Sequence, residues 1–381
     1  MKYDLIVVGA GILGTAHAFQ AAKSGKKVLI LEKDNYPVGS TVRNFGQAVT
    51  SGCVGKWFEY GLRSQEIYRE IQSKFDISVR PNGSIYVASD EDEWVLCNEL
   101  YEIQKSKGYN VVLLSKRQVL EMYPEFKENY VRGAIYYPTE LSIEPNLLIH
   151  RVLEYIQKDL GVAYRNNTSV IDCTENTDGI TITTAQKEAF VADKVLICSG
   201  YVFNLLYPEI FRNSGLVVSK LQMMQTVPMN NLDLKGNILT GLSIRRYESF
   251  SECPSFPKIA VPEHYTELQK WGVHILFKQA IDGSIIIGDS HEYAPAHQID
   301  DLGFDTKDYV NNLMIKEAER IVNFKISGKI ARTWAGFYAQ YPEHIFRYDV
   351  STNIHICTGI GGKGMTTSFG FAEANLKKLY S

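Results

Sequence analysis

Gly9, Gly11 and Gly14 stand at G-x-G-x-x-G spacing, directly behind the apolar run Leu5-Ile6-Val7-Val8 and ahead of a stretch with helical periodicity. Glycines in that pattern suit the binding of a pyrophosphate. The first permits a tight turn, the second lets backbone approach the phosphates, and the third lets helix and strand pack closely. Ile12 and Leu13 lie at the helix start, where free N–H groups and the positive end of the helix dipole favour an anion. Glu32 closes the next apolar run, Val28-Leu29-Ile30-Leu31, and is placed to accept ribose hydroxyls, with Lys33 beside it. An acid there disfavours a 2′-phosphate, so NADP is not expected. A glycine-rich turn without a ligand is the plain alternative; strand, glycines, helix and acid coinciding in one unit weigh against it.

A second glycine cluster, Gly359-Ile360-Gly361-Gly362-Lys363-Gly364, lies near the other end of the chain, after the run Ile354-His355-Ile356-Cys357 and before a helix beginning about Met365. A nicotinamide enzyme keeps its dinucleotide fold contiguous and needs little from so distant a segment. Two anion-friendly helix starts point instead to FAD, with the N–H groups of the second loop and Lys363 facing negative charge on the reduced flavin. Taken alone, this cluster also reads as a structural strand-to-helix turn.

The elements that must carry these loops follow from the pattern. Residues 4–31 read as a βαβ unit: a strand buried on both faces, a helix from about Ile12 to Lys23 closed by Ser24-Gly25, and a second buried strand. Helices are predicted over about 56–75, 90–107, 144–160 and 305–322, and short strands fill 162–191 and 215–300. Asp193 to Gly200 repeats the look of the first strand. The 381 residues, 45% hydrophobic and 22% charged, describe an ordinary globular protein of one interleaved unit or two domains. The net charge of −3 argues against a nucleic-acid partner, and no apolar stretch is long enough for a membrane span. The N-terminus lacks signal-peptide features, and six scattered cysteines without a C-x-x-C pair read as buried free thiols, so the expected location is the cytoplasm.

With these pieces in place the chain resembles the D-amino-acid oxidase superfamily of FAD enzymes, which includes glycine oxidase and sarcosine oxidase. The resemblance covers most of the chain. It rests on the glycine motif with Glu32-Lys33, on Ser40 to Gln47, on Ile197-Cys198-Ser199-Gly200, on Asp282 to Gly288, and on the glycine loop before the last helix. It implies a mixed α/β (α+β) fold in which a split Rossmann-type FAD-binding domain (1–80, 145–215 and 325–381) holds an inserted antiparallel-sheet substrate domain (81–144 and 216–324). It also implies that Arg43, Asn44, Phe45, Gly46 and Gln47 run along the flavin, that Ser199 and Gly200 lie near it, and that Val170 meets the adenine. The stretch Arg332 to Ala339, with Gly336 at its centre, carries no cysteine where some relatives bind flavin covalently, so FAD is expected to be non-covalent. Val42-Arg43-Asn44-Phe45-Gly46 and Gly288 to Tyr293 look most like a bacterial subgroup linked to aminophosphonate breakdown.

The chemistry implied is removal of a hydride from the carbon bearing a neutral amine, hydrolysis of the resulting imine, and passage of electrons to oxygen or another acceptor. The cofactor carries the hard step, so no nucleophile or metal is needed, and no motif for either is present. A small anionic substrate does need a cation. Arg43, Arg245, Arg246, Arg332 and Lys278 are candidates, with Arg43 and Arg332 preferred for their places in the motifs. His291, beside Asp289 and Glu292, is a candidate for lining the pocket or adjusting amine protonation, and equally for a structural role. His291 and His297 lack helical spacing and a third ligand, so a metal pair is not expected. Tyr338 and Tyr341 are candidates to cover the flavin, and Met223-Met224 reads as core filler. The same fold would also serve a dehydrogenase of a small 2-hydroxy acid, and a flavin-binding or partner-binding protein without catalysis is the non-enzyme alternative.

Overall fold

The apolar run at the N-terminus forms β1 (Lys2–Val8), and the glycine turn feeds α1 (Ile12–Lys23) and then β2 (Val28–Leu31). The computed structural model describes residues 2–381. Val, Leu and Ile fill both faces of these strands because both are covered, as in any parallel sheet flanked by helices. β1 pairs in parallel with β2 on one side (Val8 opposite Leu31) and with Ala189–Ile197 on the other (Val8 opposite Ile197). Ile354–Thr358 and Ala163–Arg165 extend the parallel core outward, and a meander through Val170–Asn176 and Gly179–Thr184 forms one margin of this eight-stranded sheet.

The C-terminal helix, Gly364–Leu379, returns to pack on α1 and on the helix Gly55–Lys74. Phe369 meets Phe19 and Tyr68 edge-on, and a Cβ at Gly370 would strike the backbone of Tyr60, so only glycine allows that approach. His17 fixes the α1 contact: its Nδ1–H donates to Leu13 O (2.7 Å), leaving Nε2 to accept from Asn375 Nδ2 (3.0 Å). Burial lowers its pKa to about 4, so the ring bridges the two helices uncharged. The two ends of the chain thus build one layer, and both glycine turns emerge at the same edge of the parallel strands.

A second, nine-stranded sheet is antiparallel except where Asn237–Leu239 runs parallel to Ser84–Ala88. This is the mixed α/β architecture expected. One element falls elsewhere than the sequence division suggested. Ile330–Gln340 lies inside the segment assigned to cofactor binding, yet it pairs along Val217–Thr226 of the second sheet, from Val217↔Gln340 to Gln225↔Arg332. A small third sheet, Gln47–Ala48, Leu141–Ile143 and Val79–Arg80, ties the two together. Met223 and Met224 are fully buried in core clusters, and all six cysteines are buried and unpaired. No helix among the described residues is long and apolar enough to cross a membrane.

Candidate active site

Gly9 adopts φ +103°, and a Cβ there would collide with the carbonyl of Cys198, so the crossing of the first turn over the neighbouring strand requires glycine. Gly14 sits under the same turn, where a Cβ would strike Gly9 O, and it packs helix on strand rather than facing open space. Glu32 is buried at the end of β2; its Oε2 accepts from Ala10 N–H (2.8 Å) and its Oε1 from Asp34 N–H (3.1 Å). Thr41 was not singled out from the sequence. Its Oγ1 accepts from Ile12 N–H (2.9 Å), capping α1 from a distant loop, and a hydroxyl in Ser40-Thr41 was the available signal.

The loop after Thr41 is shaped by its own side chains. Asn44 Oδ1 accepts from Gly46 N–H (2.7 Å), while Asn44 Nδ2 bonds Thr41 O. Gly46, at φ +77°, accepts a backbone bond from the third sheet through Ile143 N–H (2.8 Å). Ser40 Oγ donates to Phe337 O (2.5 Å) and Trp334 Nε1 to Arg43 O (3.2 Å), so the loop lies against the strand Ile330–Gln340.

These pieces border one cavity of about 630 Å³, within the range of cofactor and ligand pockets. At one end it is lined by Gly9, Gly11, Ile12, Leu13, Glu32 and Lys33, with Val170 beyond. Asn44, Phe45, Gly46, Gln47, Ser199 and Gly200 also line it. Gly359, Gly361, Gly362, Lys363, Gly364 and Met365 line the side formed by the C-terminal helix. Ser199 Oγ is buried there without a hydrogen-bond partner, a polar atom left for a ligand. Lys363 does reach this wall, but its ammonium is paired with Glu248 (2.5 Å) and near His344 Nδ1 (3.3 Å).

The far end is a chamber lined by Arg246, Tyr247, His274, Asp289, His291 and Tyr338, with Tyr341 and Cys53 also on the cavity wall. The strands Leu276–Gln279 and Ile285–Gly288 pair antiparallel, with Leu276 opposite Gly288. Beyond them His274 N–H donates to Asp289 O (3.0 Å) and His291 N–H to Trp271 O (2.9 Å), which brings His274, Asp289 and His291 side by side. One nitrogen or oxygen from each lies within 4.8 Å of the others, a spacing that suits a cation. His297 is not part of this group; His274, which sequence spacing did not single out, takes that place.

The structure corrects the choice of cation. Arg43 does not line the cavity: its Nε donates to Val38 O (2.9 Å) and its Nη1 to Ala335 O (3.4 Å). Arg332 is exposed on the second sheet, bound to Gln225 (2.7 Å) and stacked over Trp334. Gly336 likewise lies behind the wall, where a Cβ would sit 3.1 Å from Arg43 O, so it serves the contact between loop and strand. Arg245 is consumed by Glu93 (2.7 Å) and Asp90 (2.6 Å), and Lys278 is fully buried beside Glu144, its pKa lowered to about 8 by burial. Of the five candidates only Arg246 lines the chamber. Its Nη1 donates to Gly272 O (3.0 Å) and its Nη2 to Tyr293 OH (3.1 Å), leaving other guanidinium N–H groups available.

The profile of the family described as FAD dependent oxidoreductase (DAO) matches residues 4–375. The chain belongs to that family. Among its relatives, a glycine oxidase of Geobacillus kaustophilus is 26% identical over 52% of this chain and 55% of its own length. A glycerol 3-phosphate dehydrogenase of Caloramator mitchellensis is 24% identical over 89% of this chain and 65% of its own. The chain therefore spans only about half to two thirds of the length of these curated relatives. The crystal structure of glycine oxidase from Geobacillus kaustophilus superposes with a TM-score of 0.77 at 19% identity, covering 99% of this chain and 95% of the other, which establishes the shared DAO-family fold.

Proposed function

We propose that this chain binds FAD non-covalently along the cavity and oxidises a small anionic amine, an amino acid or aminophosphonate, to an imine that water hydrolyses. The observation that carries the reading is the continuity of one cavity, from the glycine turns and Glu32 to a chamber holding an arginine and a buried carboxylate. Bound FAD supplies the hydride acceptor, and oxygen or another acceptor regenerates it. The N–H groups at the start of α1 receive the pyrophosphate, Glu32 the ribose, and Val170 the adenine. Asn44 to Gln47, with Ser199 and Gly200, flank the ring system. The N–H groups from Gly361 to Met365 and the C-terminal helix dipole meet its negative end.

At the substrate end, Arg246 offers a planar donor pair to a carboxylate or phosphonate. Tyr338, buried with Asp289 and Tyr247 nearby, keeps its hydroxyl protonated and limits water. In the proposed division, 1–80, 145–215 and 325–381 hold the cofactor and 81–144 with 216–324 the substrate, while strand Ile330–Gln340 forms the wall between them. The relative named glycine oxidase supports an amine substrate. The relative named glycerol 3-phosphate dehydrogenase covers more of this chain and favours a second reading, oxidation of an anionic alcohol or 2-hydroxy acid.

Anaerobic loss of flavin absorbance on adding glycine, sarcosine, D-amino acids, aminophosphonates or 2-hydroxy acids separates these readings. Bleaching by an amine, with ammonia or a primary amine released after reoxidation, is the expected outcome. Bleaching by a hydroxy acid or alcohol alone would select the second reading. A protein that takes up no flavin would overturn both.

A further inference from the structure

The chamber is lined by a buried anion, Asp289, and an exposed cation, Arg246. Asp289 is 7% exposed, and its Oδ1 has no aligned hydrogen-bond donor although His274 Nε2 lies 2.7 Å away. Burial alone would raise its pKa, but His274, His291 and Arg246 more than offset this and hold it at about 2, so it is a carboxylate at neutral pH. His291 does not cancel that charge. Its Nδ1 lies 3.0 Å from Gly272 O, which can only accept, so Nδ1 carries the hydrogen, and burial lowers the ring's pKa to about 3. His274 is engaged on its other side by Ser243 Oγ (3.1 Å), which fixes the ring beside the carboxylate. A buried carboxylate left short of donors costs several kcal/mol unless a partner arrives, so its presence on a cavity wall calls for a ligand.

We propose that Asp289 is the receptor for the substrate's ammonium group, with His274 positioning the carboxylate and Arg246 meeting the substrate's anionic end. This rests on the amine-oxidation reading and deepens it: the ligand enters as a zwitterion with its cationic end innermost, and the ammonium gives up one proton to solvent before the hydride leaves, because the amine that is oxidised is neutral. An ammonium brings up to three donors and a full charge to the Asp289 carboxylate, whereas the hydroxyl of a hydroxy acid brings one donor and no charge. The chamber therefore discriminates against the hydroxy acid through the unmet charge of Asp289. Small amines lacking an acid group would satisfy Asp289 but leave Arg246 without its partner, so they bind less tightly than zwitterions.

The test uses the FAD-loaded protein and two ligands that differ at one group. In 2-aminoisobutyrate the carbon bearing the amine has no hydrogen, so it cannot be oxidised there; pivalate replaces the ammonium by a methyl of similar size. Calorimetry is expected to show 2-aminoisobutyrate binding roughly tenfold or more tighter than pivalate. Asp289→Asn should bring the ratio close to one without weakening pivalate, and Asp289→Ser serves as the second variant if the amide disturbs folding. Equal affinities in the parent protein, binding of neither ligand, or a preference that survives loss of the carboxylate overturns the assignment. So does a stoichiometric divalent metal in the purified protein that is lost on substituting Asp289. Failure of amine oxidation itself shows separately, as a flavin that no amine bleaches.

Discussion

The two ends of the cavity are built on different principles. The end bearing the glycine turns is made of backbone: N–H groups at two helix starts, a turn at φ +103°, and one carboxylate clamped by two amides. The chamber is made of side chains that arrive from residues 246, 247, 274, 289, 291 and 338. A backbone site tolerates little change in residue type at its glycines and much elsewhere. A side-chain site depends on register, and its members are replaceable one at a time without loss of the scaffold.

The largest effect that tests this contrast is expected from Gly9→Ala. It forces a side chain into the Cys198 carbonyl at a backbone conformation that L-residues rarely adopt. The variant should purify without flavin absorbance and with a lowered Tm; a yellow, stoichiometric protein would remove the first turn from the cofactor site. Arg246→Ala is expected to leave flavin content intact while kcat/KM falls roughly 10- to 100-fold, the loss of the proposed charge-assisted contact to the substrate. Unchanged kinetics would show that the anionic end is held elsewhere.

Glu32→Ala orphans the buried Ala10 N–H and withdraws the proposed ribose acceptor, so FAD affinity should fall roughly tenfold in a titration of the apoprotein. A smaller effect distinguishes the two glycine turns. Apart from its own chain neighbours, nothing lies within 4 Å of where a Cβ would stand on Gly362, so Gly362→Ala should leave the apoprotein's Tm unchanged and weaken flavin binding a few-fold. A fall in Tm instead would make this turn structural. Least of all, Arg332→Ala should alter steady-state kinetics by no more than about twofold, as expected of an exposed residue outside the cavity.

The end bearing the glycine turns is legible in the sequence because its requirements are local. A strand covered on both faces must be apolar throughout, a turn at positive φ demands glycine, and a helix start follows within two residues. Hence Leu5 to Gly14 and Ile354 to Met365 mark their own positions along the chain. The chamber leaves no such record. Among five cations, motif position favours Arg43 and Arg332, whereas the fold spends Arg43 on two backbone carbonyls and turns Arg332 toward Gln225. His274 carries no spacing signal relative to Asp289 and His291, because its partner is chosen by a hairpin register, Leu276 opposite Gly288, that the intervening residues do not encode locally. The strand Ile330–Gln340 likewise joins the second sheet through ten paired positions along Val217–Thr226 rather than following its sequence neighbours into the first. Residue types and short spacings thus set the βαβ unit, the second glycine turn and the family. Tertiary structure alone chose which side chains meet in the chamber, because strand pairing joins residues far apart in the chain and their convergence is settled only when the sheets close around the cavity.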